Sequence, residues 1–377
     1  MNTLEILERL IAFNTVSKRS NLDLIDHVED FLRHLGARVT RINDPDMPKA
    51  GLVAEIGPEG PGVLLSGHTD VVPTYGQNWT RDPFRLTREG DRLYGRGTTD
   101  MKGFVASMLS TAGAASKMDL REPLKLVLSY DEEIGCVGIA RMIDRVGPLI
   151  GKPSLAIIGE PTEMQVATGH KGKRAWRADV TGDAGHSALA PRFTNALNVA
   201  ADFVRELETI QTDLAQNGLR DDAYDIPYST VHVGMLSGGR ALNIVPDHAE
   251  MTFEIRHLAQ DDLDELEQRI RDEADRVRTR HGPAARLDLH RITAYPGLET
   301  PGDHPVVSQM VQLAQTRKTK VAYGTEAGFF DALGIPTVVC GPGSMEGQGH
   351  KADEYVEIAQ IEACDLMLRR LLETLKA

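Results

Sequence analysis

Two histidines and three carboxylates, each following its own apolar or glycine-rich run, are the residues whose types and spacing could do chemistry. Val63-Leu64-Leu65 leads into Ser66-Gly67-His68-Thr69-Asp70, and Gly95-Arg96-Gly97-Thr98-Thr99-Asp100 forms a glycine-rich loop ahead of an apolar stretch. Leu124–Tyr130 leads into Asp131-Glu132-Glu133, Leu155–Gly159 leads into Glu160, and a late glycine-rich loop carries His350. Short apolar runs bounded in this way read as buried strands, and α/β sheets place their chemistry at the C-terminal ends of such strands. Imidazole nitrogen and carboxylate oxygen are what zinc and its relatives bind, and the absence of cysteine from the set points away from a structural zinc site.

Five such ligands divide naturally between two cations that share one carboxylate, an arrangement that makes water nucleophilic at neutral pH. Asp100 is the expected bridge, because a short side chain on a tight loop is the stiffest way to hold two cations. On an extended segment the adjacent Glu132 and Glu133 must point in different directions. Glu133 is therefore expected at the second cation and Glu132 in the open cavity, where it takes a proton from water and returns it to a leaving amine. Asp70, two residues after His68, is placed to accept the other ring N–H and fix the tautomer.

These residues need a scaffold, and the chain supplies an alternating one. Helices are expected at Leu4–Phe13, Leu22–Leu35, Met101–Ser116 and Val137–Val146, with strands at Ala37–Ile42, Leu52–Ile56, Leu124–Tyr130 and Leu155–Ile158. Strand and helix in alternation give an α/β domain with a mainly parallel sheet. Near Gly172 the pattern changes to strand-helix-strand-strand-helix-strand: Ala175–Val180, Asn195–Thr212, Thr230–Met235, Ala249–Ile255, Leu263–His281 and Arg286–Ile292, with a turn at Ser237-Gly238-Gly239. That order predicts an inserted ferredoxin-like α+β unit. Beyond Gly297 the first pattern resumes with a helix at Pro305–Gln315, a strand at Pro336–Cys340 and a helix at Ile358–Lys376. The expected division is a catalytic domain of residues 1–172 and 295–377 around an insert of 173–294.

Composition narrows the function further. A length of 377 residues exceeds what one core usually supports, and a net charge of −13 disfavours nucleic acid and anionic membranes as partners. The three widely spaced cysteines fit no disulfide framework, and the acidic N-terminal stretch does not read as a signal peptide. No run is long enough to span a bilayer, so the expectation is a cytoplasmic protein. His170 is read as a hinge residue, His27, His34, His281 and His290 as structural, and Lys173-Arg174 as a solvated charged pair.

In order and spacing, Ser66–Asp70, Gly95–Gly103, Tyr130–Glu133, Gly159-Glu160-Pro161-Thr162, Gly185-His186-Ser187 and the His350 loop resemble the aminoacylase and carboxypeptidase family of co-catalytic metallohydrolases. Trp79–Phe84, Gly169–Gly172, Tyr323–Ala327 and Cys340–Ser344 are most similar to family members that deacetylate amino acids such as ornithine. The resemblance implies that His68 and Glu160 hold one metal, Glu133 and His350 the other, and Asp100 both, with Zn2+ or Co2+ as the ion. It implies that His186, in the insert, polarises the scissile carbonyl, often from a partner subunit, and that Arg256 and Asn243 bind the substrate's α-carboxylate. A homodimer formed through the insert, acting as its lid, is implied as well. Position alone makes Glu326 a candidate for a substrate ammonium group. The His350 loop departs from the family pattern by one extra glycine and by Ala352 where relatives often have proline.

The reading is a metal-dependent amidohydrolase that takes a small acyl group, acetyl above all, from an amino acid. Alternatives are another N-acyl-amino-acid deacylase, a desuccinylase of succinyl-diaminopimelate, or a dipeptidase or carboxypeptidase with the same ligands. From another class comes a non-catalytic amino-acid-binding relative, against which Glu132 argues, since a binder has no use for a proton shuttle.

Overall fold

The computed structural model describes all 377 residues. They divide into two compact units: Met1–His170 with Leu298–Ala377, and Lys171–Gly297.

The first unit is built on a nine-stranded mixed sheet. Its centre is four adjacent parallel strands, Leu124–Ser129, Val63–His68, Leu155–Ile158 and Thr337–Val339. Antiparallel strands flank them, Ala50–Ile56 and Arg38–Asn43 on one side and Val166–His170 and Leu298–Glu299 on the other. Every residue of the four central strands is buried. Successive side chains face opposite ways along a strand, so a run buried throughout means that both faces are covered. The helix Lys102–Ala115 is buried almost all round and packs against Thr3–Ala12 and Ile358–Thr374. The α/β class read from the sequence holds, with the parallel strands concentrated in the middle.

Parallel strands end on the same edge, which gathers His68, the segment after Ser129 and Glu160 on one rim. A small three-stranded sheet of Thr87–Glu89, Arg92–Tyr94 and Tyr355–Glu357 escaped the sequence reading, its strands being too short to show periodicity. It pairs Tyr94 with Tyr355 and so brings the start of the Asp100 loop to the end of the His350 loop.

The second unit has strands Gly172–Thr181, Thr230–Gly238, His248–His257 and Arg286–Tyr295 in one antiparallel sheet. Helices Ala196–Asn217 and Leu263–His281 pack on it, giving the ferredoxin-like order. Trp176 stacks on Phe253 at 5.4 Å between ring centres, and Phe203 meets Phe253 edge-on. The turn expected at Ser237–Gly239 lies later, because the strand continues to Gly238 opposite Ala249. A two-residue ribbon pairs Gly185-His186 with Ile244-Val245, and a 3-10 turn over Ser187–Arg192 follows. Lys173 and Arg174 are not a solvated pair: Lys173 bonds Glu254 of the neighbouring strand at 2.8 Å and Arg174 bonds Glu267 of the helix Leu263–His281 at 2.7 Å, so each charge is neutralised. All three cysteines are buried and free, and no helix is long and apolar enough to cross a membrane.

Close approach behind the acidic segment tests the packing. A Cβ on Gly138 would stand 1.7 Å from the Tyr130 carbonyl oxygen, whereas one on Gly113, in the helix Lys102–Ala115, would meet nothing within 4 Å. Gly138→Ala is expected to cost about 1–3 kcal/mol through overpacking. Gly113→Ala is expected to gain up to about 1 kcal/mol through helix propensity. Urea unfolding of the two variants beside the parent checks both signs, and equal midpoints for the two would refute this packing.

Candidate metal centre

Asp100 divides its two oxygens between two imidazoles. Its Oδ1 lies 3.1 Å from His68 Nε2, and its Oδ2 lies 3.0 Å from His350 Nε2. Glu160 Oε1 is 3.7 Å from the same nitrogen of His68, and Glu133 Oε2 is 2.9 Å from that of His350. The structure therefore brings together all five residues singled out as ligands and sorts them into two sets around one shared carboxylate. Ligand atoms of His68, Asp100 and Glu133 lie within 4.8 Å of one another, as do those of His68, Glu132 and Glu160.

Donor chemistry and burial fit a pair of divalent cations. Glu133 Oε1 and Glu160 Oε1 are buried without a hydrogen-bond partner, although a buried carboxylate oxygen left unpaired is costly. Burial, followed by the charge of Asp100, pushes Glu133 up to about 8. Glu160 is raised well above the carboxylate range for the same two reasons. Burial works against Asp100 too, yet hydrogen bonds from His350 and His68 hold it well below its usual value. The imidazoles answer in kind: burial opposes their charge, but Asp100 and Glu133 lift His350 to about 11, and Glu160 with Asp100 raises His68. Without cations, so much negative charge is balanced by protons held on the ligands.

Asp70 does more than was expected of it. His68 Nδ1 lies 3.0 Å from the Asp70 carbonyl oxygen and 3.4 Å from the carboxylate, so the backbone is the nearer acceptor. The carboxylate meanwhile accepts the backbone N–H of Glu132 at 3.0 Å, that of Glu133 at 3.3 Å and the Ser17 hydroxyl at 2.7 Å. One buried side chain thus ties the His68 strand to the acidic segment of the neighbouring strand.

That segment is a turn and not the extended run assumed from the sequence. Asp131 has φ +53°, and the Glu132 carbonyl accepts from both Gly135 and Cys136 at 2.8 Å. The two glutamates diverge because the chain turns: Glu133 meets His350, while Glu132 Oε1 accepts from the Cys136 thiol at 3.2 Å. Burial, opposed by His68 and reinforced by Asp100, pushes Glu132 up to about 8. Asp131 is anchored by a buried ion pair with Lys49 and by the Lys18 N–H. Sequence reasoning had no signal for Ser17, Lys49 or Cys136, whose roles exist only through contacts distant along the chain or across the turn.

Glu326, the candidate for a substrate ammonium, is buried. It is 1% exposed beside Ser129, and burial pushes its carboxyl up to about 7. Its carboxyl lies within reach of the charges of His68 and Asp70, in the same buried region as the other carboxylates. His170 is wholly buried in the strand Val166–His170.

The remaining candidates belong to the second unit. His186 is exposed, and its Nδ1 accepts the Ala188 N–H at 3.1 Å, which leaves the proton of the neutral ring on Nε2. Asn243 is its neighbour, its carbonyl accepting from the Ser187 N–H at 3.1 Å. Arg256 donates to Glu254 at 2.9 Å and to the Tyr295 hydroxyl at 2.6 Å, which orient its guanidinium.

Residues 64–374 match the model of peptidase family M20/M25/M40. The acetylornithine deacetylase of Shigella sonnei (strain Ss046) is 36% identical over 362 residues, covering 94% of this chain and 92% of that protein. That of Proteus mirabilis (strain HI4320) is 34% identical over 378 residues, covering 98% and 96%. Among solved structures, the M20 family metallo-carboxypeptidase Sso-CP2 from Sulfolobus solfataricus superposes with a TM-score of 0.81 at 19% identity, covering 99% of each chain. The Bacillus subtilis YXEP protein, described as a dinuclear metal binding peptidase, gives 0.71 at 14%, covering 99% of this chain and 97% of that one.

Metal ligation requires bare imidazole nitrogens and carboxylates, yet His350 near 11 and Glu133 near 8 both hold protons at pH 7. Loading is therefore expected to release protons and to tighten as pH rises through neutrality. Calorimetry of Zn2+ binding in buffers of different ionisation enthalpy measures the release, and buffer-independent heats would contradict this account of the charge balance.

Proposed function

Since the chain belongs to peptidase family M20/M25/M40, whose members here include acetylornithine deacetylases, we propose that it removes the acetyl group from N2-acetyl-L-ornithine, giving ornithine and acetate. The observation that carries a two-metal reading is the Asp100 carboxylate offering one oxygen to the His68 side and the other to the His350 side. Deacetylation of ornithine is favoured over peptide hydrolysis because relatives of that name share about a third of all positions over nearly the whole chain, whereas the peptidases support the fold alone.

Two divalent cations, Zn2+ or Co2+, supply the polarisation that lets water attack an amide at neutral pH. His68 and Glu160 would hold one and Glu133 and His350 the other, with an oxygen of Asp100 to each. Glu132, held by the Cys136 thiol and ionised once cations occupy the neighbouring ligands, takes a proton from the attacking water and hands it to the departing α-amine. Asp70 keeps His68 in one orientation and the Glu132 backbone in place. His186 donates a hydrogen bond from its Nε2–H to the scissile carbonyl oxygen as charge develops there, from the same chain or a second copy. Arg256 and Asn243 hold the substrate's α-carboxylate, the guanidinium being suited to a charged, planar acceptor.

A homodimer through the second unit belongs to the same reading. The strand Thr230–Gly238 lies at a sheet edge, and Met235 is 68% exposed with Leu236, Leu242 and Ile244 exposed nearby. An open edge with apolar side chains is a surface that pairs. We place the protein in the cytoplasm, at the step of arginine biosynthesis that frees ornithine.

Metal-reconstituted protein offered N2-acetylornithine, N-acetylmethionine, succinyl-diaminopimelate and a dipeptide side by side tests the substrate. Acetylornithine is expected to lead in kcat/KM by at least about tenfold, the discrimination that 1.4 kcal/mol of extra transition-state binding supplies. A lead for the succinyl substrate or the dipeptide would overturn the assignment. Glu132→Gln is expected to lower kcat by about 10²–10⁴-fold, the usual contribution of a general base, with metal content and substrate affinity retained. An amino-acid-binding protein would lose nothing from that change.

A further inference from the structure

Behind the two loops that carry Asp100 and His350 lies a buried polar cluster that the chemistry above does not use. Arg96 and Glu354 are both 0% exposed in their side chains and pair at 2.5 Å from Nη1 to Oε2. The other carboxylate oxygen of Glu354 accepts three loop N–H groups, from Gly97 at 3.1 Å, Thr99 at 2.9 Å and Asp100 itself at 3.2 Å. Its backbone carbonyl accepts a fourth, from Gly95 at 2.9 Å. The loop that presents the shared carboxylate is therefore wrapped around one glutamate.

Arg96 reaches the His350 loop by a second route. Its Nη2 donates to Gln77 Oε1 at 2.5 Å, and Gln77 Nε2 donates to the His350 carbonyl at 3.0 Å. The amide cannot turn over, since Oε1 also accepts the Trp79 indole N–H at 3.0 Å. The Trp79 ring lies 5.0 Å from the guanidinium carbon, closing the other side. Glu354 follows His350 by four residues and begins the strand pairing of Tyr355 with Tyr94, so both ends of the His350 loop are anchored to the segment that ends in Asp100.

We propose that Glu354, Arg96 and Gln77 form a positioning unit that sets the separation of Asp100 and His350 and thereby builds the second cation site. Two facts favour this over plain structural packing. A buried ion pair is expensive to desolvate and contributes little stability compared with apolar residues of the same shape, so its use lies in the geometry it enforces. That geometry is directed wholly at the two ligand loops: every bond of Glu354 in the cluster goes to residues 95–100, and the far end of Gln77 goes to His350 itself. His350 needs such support. It sits at φ +59° with its side chain 42% exposed, at the end of a loop with no other strand pairing between Thr337–Val339 and Tyr355 than a single bridge at Ser344. Residues that orient ligands in this way usually set metal affinity within about 10–100-fold.

The inference rests on the two-metal reading, and one experiment separates the two. Stepwise Zn2+ and Co2+ titration by calorimetry, with the Co2+ visible spectrum recorded at each equivalent, is run on the parent chain, Glu354→Gln and Gln77→Ala. The parent is expected to take two equivalents. Glu354→Gln faces its new amide N–H groups toward the Arg96 charge and is expected to weaken the second equivalent by about 10–100-fold and to change its Co2+ spectrum. Gln77→Ala, at a half-buried position, is expected to weaken the same equivalent by about 3–10-fold and to leave the first within about twofold, a smaller loss because one tie of several is cut. Gln77→Asn, unable to span both partners, is expected to behave as Gln77→Ala. Two parent-like equivalents with parent-like spectra in Gln77→Ala overturn the proposal whether or not Glu354→Gln folds. A parent chain that takes only one equivalent overturns the two-metal reading instead.

Discussion

Negative charge confined in a small buried volume is the constraint on which the rest of the structure depends. Asp100, Glu133 and Glu160 converge on two imidazoles, with Glu132 at the rim and Glu326 beneath. Taking an ionised carboxylate out of water costs several kcal/mol unless an opposite charge meets it. The chain meets that cost with protons on His68, His350 and the glutamates, or with cations in their place. Such a cluster lowers the stability of the fold around it, and it persists because the surrounding core is large and fully buried. Local rules of burial are broken most densely here, which is what a functional site looks like in a folded chain.

Holding this cluster falls to strand ends, turns and the hydrogen bonds between them. The four parallel strands put three ligand-bearing segments on one rim, and Asp70 ties two of them together through the backbone N–H groups of Glu132 and Glu133. Gly138 lets the following helix start against the Tyr130 carbonyl, and the turn between them separates the two glutamates. Shared ligands and divergent neighbours therefore come from backbone hydrogen bonding more than from the side chains themselves. The second unit orders its own polar residues by backbone hydrogen bonds too. A two-residue ribbon pairs His186 with Ile244, the Asn243 backbone carbonyl accepts from Ser187, and one backbone N–H from Ala188 decides which ring nitrogen of His186 can donate.

Much of this could be read from the chain. A strand ending in histidine or in acids announces itself through the contrast between a continuous apolar run and a sudden polar residue, and that contrast survives whatever surrounds it. The two long helices of the second unit and its strand order were legible for the same reason, since their periodicity runs for many residues. Short elements were not. Thr87–Glu89, Arg92–Tyr94 and Tyr355–Glu357 are each three residues long, too few for alternation to register, and their partners lie far away in sequence.

Residue type and spacing by themselves determined that five candidate ligands for cations, a further glutamate beside them and an α/β scaffold were present, because local sequence sets which chemistry a strand end can offer. Tertiary structure alone decided how Asp100 splits its oxygens, that Glu326 is sealed away, that the Glu132 segment is a turn, and that Glu354 and Arg96 brace the Asp100 loop. Each of these depends on a distance between residues remote in sequence, and a distance through space is set by the packing of the whole unit, which no local pattern encodes.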